Sequence, residues 1–353
     1  MSATPFTATE HRGTEAPRVL FVRLGSLGDV IHGIPAAAAL RNRYPQAHID
    51  WLVDARYVEL LALVECLDRR IAFDPRDVAR SGGRTLALRT LWELRRNQYD
   101  ACIDLQGLLK SAALSRAVGA RRTIGFQHAH LREPLARLLY TDTPDLGDAT
   151  HVIDKGIALL APLGVTDARV HFPVVIPRPP VVESVVCRFG VGGYALINPG
   201  AAWPNKRWPP ERFGGVAAAL HRDMGLRSLV LWGPGEQALA GTVVGASSGA
   251  AESAPPTSIQ DIVGIARHAR VMISGDTGPL HIAGAVGTPI VALFGPTLAA
   301  RNGPWLAQDI VVSRTAQCIC LYERRCRRAT PCIDDIGVEE VTAAVQRRLT
   351  AHV

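Results

Sequence analysis

Several things are missing from this sequence, and each absence narrows what the chain can be. No apolar run is long enough to cross a bilayer. The first 17 residues are polar and carry no apolar signal core, so they are expected to form a disordered tail rather than a secretion signal, and the protein is expected in the cytoplasm. No D-x-D triplet occurs anywhere, so the metal clamp of many nucleotide-sugar enzymes is missing. No basic stripe studded with aromatics occurs either, which argues against nucleic acid as a partner. Lysine is scarce: among 39 basic side chains, set against 32 acidic ones, arginine greatly outnumbers it. Arginine suits bidentate capture of phosphates and carboxylates, so the net charge of +7 points to an anionic substrate or membrane surface.

What is present alternates strand and helix almost throughout, the signature of parallel sheets covered by helices on both faces. With 353 residues two domains are expected. Expected strands lie near Arg18–Leu24, His48–Asp54, Arg70–Phe73, Ala101–Leu105, Thr123–Phe126 and His171–Ile176, with helices near Val30–Arg43, Thr85–Arg96, Lys110–Val118 and Val152–Leu160. The stretch Pro173–Pro180 is stiff and reads as a linker. The pattern restarts with strand Tyr194–Asn198. The expected division is a tail at 1–17, a first domain at 18–178, a second at 179–335, and a final helix at 336–353 that folds back on the first domain.

The richest segment is Ser274–Thr297, SGDTGPLHIAGAVGTPIVALFGPT. An apolar strand enters Gly275-Asp276-Thr277-Gly278, Pro279 occupies a first helical position, and a second apolar strand, Ile290–Phe294, follows Gly287. Asp276 or Thr277 can cap the helix, and the free N–H groups of its first turn form an anion site. A capped crossover helix without a ligand would look similar. A matching unit lies near the N-terminus, where strand Arg18–Leu24 runs through Gly25-Ser26-Leu27-Gly28-Asp29 into a helix. Gly25 and Gly28 give only G-x-x-G, not the dinucleotide fingerprint, although Asp54 does close the next strand. Asp29 sits where a helix N-terminus favours its ionised form, so it is either a general base facing a cleft or a plain N-cap.

Further polar groups stand at the ends of strands. Lys206, in the loop Asn198–Trp208, could neutralise a departing diphosphate or be an ordinary solvated lysine. Trp232-Gly233-Pro234-Gly235-Glu236 ends another strand with a carboxylate suited to ribose hydroxyls. Asp104-Leu105-Gln106-Gly107 ends a strand of the first half, just before Lys110 and Ser111. His281 lies on the crossover helix, where a histidine more often packs than reacts. Four of the seven cysteines cluster as Cys318-x-Cys320-x5-Cys326-x5-Cys332 among arginines. Their spacing lacks the paired C-x2-C knuckles of zinc sites, so reduced thiols are the default and a structural zinc or iron the alternative.

Taken together, GSLGDVIHGIP (Gly25–Pro35), YDACIDLQGLLKSA (Tyr99–Ala112), REPLARLLY (Arg132–Tyr140), NPGAAWPNKRWP (Asn198–Pro209), WGPGE and the Ser274–Thr297 segment resemble glycosyltransferase family 9, the bacterial ADP-heptose:lipopolysaccharide heptosyltransferases. The resemblance runs over roughly residues 18–350, and the REPLA and DLQGLLKSA segments look most like heptosyltransferase I. It implies a GT-B architecture, two Rossmann-like domains facing a central cleft. It also implies inverting, metal-independent transfer of L-glycero-D-manno-heptose from ADP-heptose to Kdo-lipid A. By the same resemblance Asp29 is the catalytic base and Lys206 holds the donor diphosphate. Asp276 contacts the donor heptose, Thr277, Gly278 and His281 flank the diphosphate, and Trp232 and Glu236 line the adenosine pocket. Arg132 is a candidate for an acidic group of a lipid-linked acceptor, with Gln106 and Lys110 beside it. The pattern is broken at Ala201-Ala202, where many relatives carry hydroxyl residues. The acceptor loops Phe73–Arg84 and Gln127–Arg132 carry no readable code, so a later core sugar or a protein acceptor stays open. So do a sugar-nucleotide epimerase of the same architecture and a non-catalytic ADP-sugar binder. An enzyme of this kind is expected at the cytoplasmic face of the inner membrane, in peripheral contact through basic side chains.

Overall fold

The computed structural model describes residues 16–74 and 83–351. The expected tail, apart from Ala16 and Pro17, and residues 75–82 of the expected acceptor loop lie outside the described residues. Two units divide at Val175 and Ile176.

The first unit contains β1 (Arg18–Val22), α1 (Leu27–Arg43), β2 (His48–Val53), α2 (Val58–Leu61), β3 (Arg69–Ala72), α3 (Gly83–Arg96), β4 (Ala101–Asp104), α4 (Leu109–Ala117), β5 (Arg122–Ile124) and α5 (Val152–Ala158). Its sheet is wholly parallel in the order β3-β2-β1-β4-β5. β1 and β2 are apolar along nearly their whole length because both faces of the sheet are covered. Gly33 lets α1 approach that sheet: a Cβ there would lie 2.7 Å from the Trp51 ring and 2.9 Å from Leu105. The expected strand near His171–Ile176 is reduced to one antiparallel bridge, between Val174 and Val64. Prolines on both sides of it leave too few N–H donors for a ladder.

The second unit runs α6 (Pro180–Phe189), β6 (Tyr194–Asn198), α7 (Pro210–Met224), β7 (Arg227–Val230), α8 (Gln237–Gly245), β8 (Ala251–Ser253), α9 (Ile259–His268), β9 (Val271–Gly275), α10 (Gly278–Ala285), β10 (Ile290–Phe294), α11 (Ala299–Asn302), β11 (Ile310–Ser313) and α12 (Val338–Thr350). Its six parallel strands lie in the order β11-β10-β9-β6-β7-β8. The proline-rich stretch that reads as a linker ends in a helix, since Pro180 occupies a first-turn position of α6 where no N–H is needed.

Within its own unit α12 packs on α7, β10 and β11, and Val341, Ala344, Val345 and Leu349 join that unit's core. A buried ion pair ties it down: Arg348 Nε donates to Asp309 Oδ1 at 2.8 Å, with both side chains about 1% exposed. Asp309 Oδ1 also accepts from the Ile290 N–H at the start of β10, 2.9 Å away.

Candidate functional site

In an open parallel sheet the strand order reverses at one place, and a crevice opens there beyond the carboxyl ends of the strands. In the first unit this switch lies between β1 and β4, and in the second between β6 and β9. Asp29 and Gln106 stand at the first, and Lys206, Asp276, Thr277, Gly278 and His281 at the second.

At the first switch, Arg23 leaves β1 and turns its guanidinium onto two groups: it donates to the Leu105 carbonyl at the end of β4 and pairs with Asp29 Oδ1 at 2.5 Å. Asp29 is not the N-cap of α1. Ser26 holds that position, and Asp29, three residues into the helix, reaches back to accept from the Ser26 N–H at 3.0 Å and the Ser26 hydroxyl at 2.9 Å. This is a capping box with aspartate in place of the usual glutamate. Burial by itself would raise the Asp29 pKa. The Arg23 charge, the two Ser26 bonds and the nearby His32 outweigh it and hold the carboxyl at about 2. The Asp29 side chain remains 27% exposed, so the charged carboxylate is reachable from solvent.

Gln106 braces the same turn, its Oε1 accepting from the Leu24 N–H at 3.1 Å. Asp104 is fully buried and accepts from the N–H groups of Gln106 and Gly107, the Ser111 hydroxyl and the Tyr140 hydroxyl, at 2.8, 3.2, 2.8 and 2.8 Å. Burial pushes its carboxyl up despite those bonds. It fixes the loop into α4 and touches no open surface. Lys110 and Arg132 are exposed, and Glu133, next to Arg132, accepts through Oε2 from the Leu109 N–H at the start of α4 at 2.6 Å. At the other candidate strand end, Asp54 is engaged by Arg56, whose Nε and Nη2 donate at 3.0 and 2.8 Å.

At the second switch, Asp276 stands at the end of β9 and gathers donors from four directions. Lys206 Nζ lies at 2.5 Å, Asn302 Nδ2 at 2.7 Å, the Thr297 hydroxyl at 2.8 Å and His281 Nε2 at 3.2 Å. Burial opposes ionisation, but the His281 bond and charge and then Lys206 prevail, so the carboxyl sits far below the usual range. Lys206 also lies over the Trp203 ring, 4.6 Å from its centre. Thr277 is the N-cap of α10 but does not cap it with its side chain. Its hydroxyl instead meets the Ser274 hydroxyl at 3.0 Å and the Asn198 amide at 3.1 Å. The first N–H groups of α10 are thereby left for an anion, in the turn that carries Gly278.

The adenosine-side candidates form a second wall of this unit. The Trp232 indole donates to the Ala254 carbonyl at 2.7 Å, and Glu236 Oε2 accepts from the Gly233 N–H at 3.2 Å. Arg207 lies 3.6 Å from Glu236 Oε1 and ties back to the Ala201 carbonyl at 2.8 Å. Gly200 makes room for this: a Cβ on it would fall 2.1 Å from Glu236 Oε2. Sequence reasoning passed over Asn198, Trp203, Arg207, Thr297 and Asn302. Thr297 closes a quoted motif and was within reach, whereas Asn302 has no local signal.

The clustered cysteines are free thiols, with Cys318 Sγ 3.7 Å from Cys320 Sγ and Cys320 Sγ 3.4 Å from Cys326 Sγ. Burial, then contact with the other three, pushes the Cys332 thiol up to about 12. Among the described residues no group of three or more histidine, cysteine or acidic side chains is picked out as a metal site, so the structural zinc or iron raised as the alternative to reduced thiols is not shown. Also among the described residues, no helix is long and apolar enough to cross a membrane.

Comparison with known proteins identifies the family and the fold. The profile of glycosyltransferase family 9 (heptosyltransferase) matches residues 87–330. The lipopolysaccharide heptosyltransferase 1 of Pseudomonas aeruginosa is 28% identical over 321 residues, covering 88% of this chain and 87% of that protein. The structure of E. coli heptosyltransferase WaaC with ADP superposes with a TM-score of 0.77 at 22% identity, over 94% of this chain and 99% of that one. The same enzyme with ADP-2-deoxy-2-fluoro heptose gives 0.75 at 23% identity, over 93% and 99%. Both solved structures share the GT-B fold expected from the sequence, two parallel-sheet α/β units.

Proposed function

We propose, for a chain that belongs to glycosyltransferase family 9, that this glycosyltransferase moves heptose from ADP-heptose to a Kdo-lipid A acceptor of the lipopolysaccharide inner core, with inversion and without a metal. The names of its relatives support the donor and the pathway: a heptosyltransferase 1 among the sequences, and a heptosyltransferase bound to ADP and to a fluorinated ADP-heptose among the structures.

The observation that carries the proposal is the switch point of the second unit, where Lys206 and the open N-terminus of α10 flank Asp276. A nucleoside diphosphate needs cationic and dipolar stabilisation when no metal supplies it, and these groups provide both. Without donor, Lys206 neutralises Asp276. With donor, Lys206 swings to the diphosphate and Asp276 accepts from a heptose hydroxyl in its place, while His281, Thr297 and Asn302 keep the carboxylate aligned. Trp232 and Glu236 then border the adenosine.

Asp29 serves as the base. The acceptor hydroxyl oxygen bonds to the anomeric carbon from the face opposite the diphosphate, the bond from that carbon to the β-phosphate oxygen breaks, and ADP leaves with the electron pair. The hydroxyl proton passes to Asp29. A carboxylate whose pKa is about 2 is too weak to deprotonate a free alcohol. It suits a late transfer, in which the hydroxyl becomes acidic only as its oxygen bonds to the sugar. Arg132, Lys110 and Gln106 take the acidic groups of the acceptor.

The deciding experiment measures ADP release from ADP-heptose with and without Kdo-lipid A, for the wild type and for Asp29→Asn. Release that needs acceptor and is lost in Asp29→Asn is the expected result. Turnover of ADP-heptose without any acceptor would mark a sugar-nucleotide epimerase or hydrolase instead. Donor binding without release on this acceptor would redirect the search to a later core sugar or a protein.

A further inference from the structure

We propose that the turn Pro134–Leu139, together with the start of α4, seats the first unit on an anionic lipid surface; the inference rests on the acceptor being lipid-borne, as argued above. The turn is a 3-10 helix, in which residues three apart eclipse, so Leu135 and Leu138 share one face. That face is open: Leu135 is 66% and Leu138 78% exposed, and Leu109, at the first position of α4, is 43% exposed. Large aliphatic side chains displayed together on a soluble surface mark a contact with something apolar.

The display is rigid. On its inner side the turn is pinned by Ala136 and Tyr140 packed on Ala112 of α4, with Leu131 and Leu139 beside them. Glu133 fastens its start to α4 through the Leu109 N–H. The leucines face outward while Ala136 and Tyr140 on the same turn are held inward.

The surroundings say what they meet. Lys110 and Arg132 are exposed at the border and Arg137 is half-buried in the turn itself. Glu133, the carboxylate next to Arg132 in sequence, spends one oxygen on the Leu109 N–H. Exposed leucines on a turn that follows Arg132 and carries Arg137, next to a helix start that carries Lys110, match an interface of anionic headgroups over acyl chains, whereas a water-soluble polar partner would leave the leucines unserved.

Topology adds a reason for this position. All carboxyl ends of a parallel sheet lie along one edge, and α4 starts just beyond the end of β4 as Asp29 does beyond β1. The Leu24–Gln106 and Arg23–Leu105 hydrogen bonds join those two ends directly. An acceptor standing in the bilayer would thus present its sugar to the edge that carries Asp29, with its acyl chains left in the membrane.

The test is co-sedimentation of the full chain with sucrose-loaded phosphatidylcholine vesicles, with and without phosphatidylglycerol. The wild type is compared with Leu135→Asn/Leu138→Asn and with Leu88→Asn/Trp92→Asn, an exposed apolar pair on α3 that serves as control. Expected are wild-type binding that needs the anionic lipid, a fall of about tenfold or more in the turn variant, and little change in the control. The turn variant should also show a raised KM for vesicle-embedded acceptor and unchanged turnover of deacylated, water-soluble acceptor. Equal vesicle binding by the turn variant, or a loss confined to the α3 control, overturns the proposal. So does a concentration-dependent dimer in sedimentation equilibrium that only the turn variant loses, since the leucines would then meet a second copy of the chain. Vesicle binding is read without catalysis, so failure of the proposed transferase activity would be seen separately, as no turnover of either acceptor by the wild type.

Discussion

Asp29 and Arg23 form one ion pair, and its role is best tested by removing the arginine rather than the acid. With the pair intact the carboxyl titrates at about 2, so the active, ionised form persists through the whole acid range in which the protein would be assayed. In Arg23→Gln the burial that favours the neutral acid loses its main opponent. The acid limb of kcat/KM should then climb toward or past the ordinary 3.8, while Arg23→Lys, which keeps the charge, should move it much less. The stability that the depressed carboxyl contributes follows the same sign: it is present above 3.8 and lost as pH falls toward 2. Asp29→Asn should lower turnover by roughly two to four orders of magnitude, the usual worth of a general base, with ADP affinity changed by no more than a few fold. Lys206 belongs to the donor side. Lys206→Ala should cost turnover and donor KM together, and an unchanged rate would leave the residue as nothing more than a partner of Asp276.

Elements are positioned by contacts that the chain declares locally to very different degrees. The strand–turn–helix units at both switches were legible because an apolar strand, a glycine turn and a capping residue are consecutive in sequence. The partners of Asp276 were only partly so, since Thr297 and Asn302 arrive 21 and 26 residues later, after another strand and turn. The role of Ser26 was hidden by its neighbour: an acidic residue at a helix start reads as the cap, while geometry gives the cap to Ser26 and makes Asp29 its reciprocal partner. α6 was missed because prolines in series mask the one proline that a first helical turn welcomes. Two glycines make predictions at this scale. Gly33→Ala should destabilise by about 1–3 kcal/mol in thermal or urea unfolding, because Trp51 and Leu105 are packed side chains that must shift. Gly200→Ala should behave differently, since the atom in its way is the end of a side chain. Glu236 swings aside, donor KM rises with little loss of stability, and Glu236→Ala should add little to the effect in the same protein.

At the scale of the molecule, each unit has its own sheet and core, and the candidate donor residues belong to the second. Saturating ADP should therefore raise the melting temperature, by an amount equivalent to about 2.7 kcal/mol at a hundred times Kd. Asp29→Asn should keep that shift and Lys206→Ala should lose most of it, as differential scanning fluorimetry would report. Activity should survive EDTA. Loss restored by magnesium alone would return the diphosphate to a metal and take the stabilising role from Lys206. The buried pair between Arg348 and Asp309 carries a consequence for how the protein is made. Arg348 is translated 39 residues after its partner, so the pair that ties α12 to its unit closes only once the last helix has been made. A nascent chain stopped before residue 348 would be held back by about 3–5 kcal/mol, the usual cost of breaking such a pair. The cell's proteases would thus meet truncated chains as unfinished and full-length ones as closed, with one arginine marking the difference.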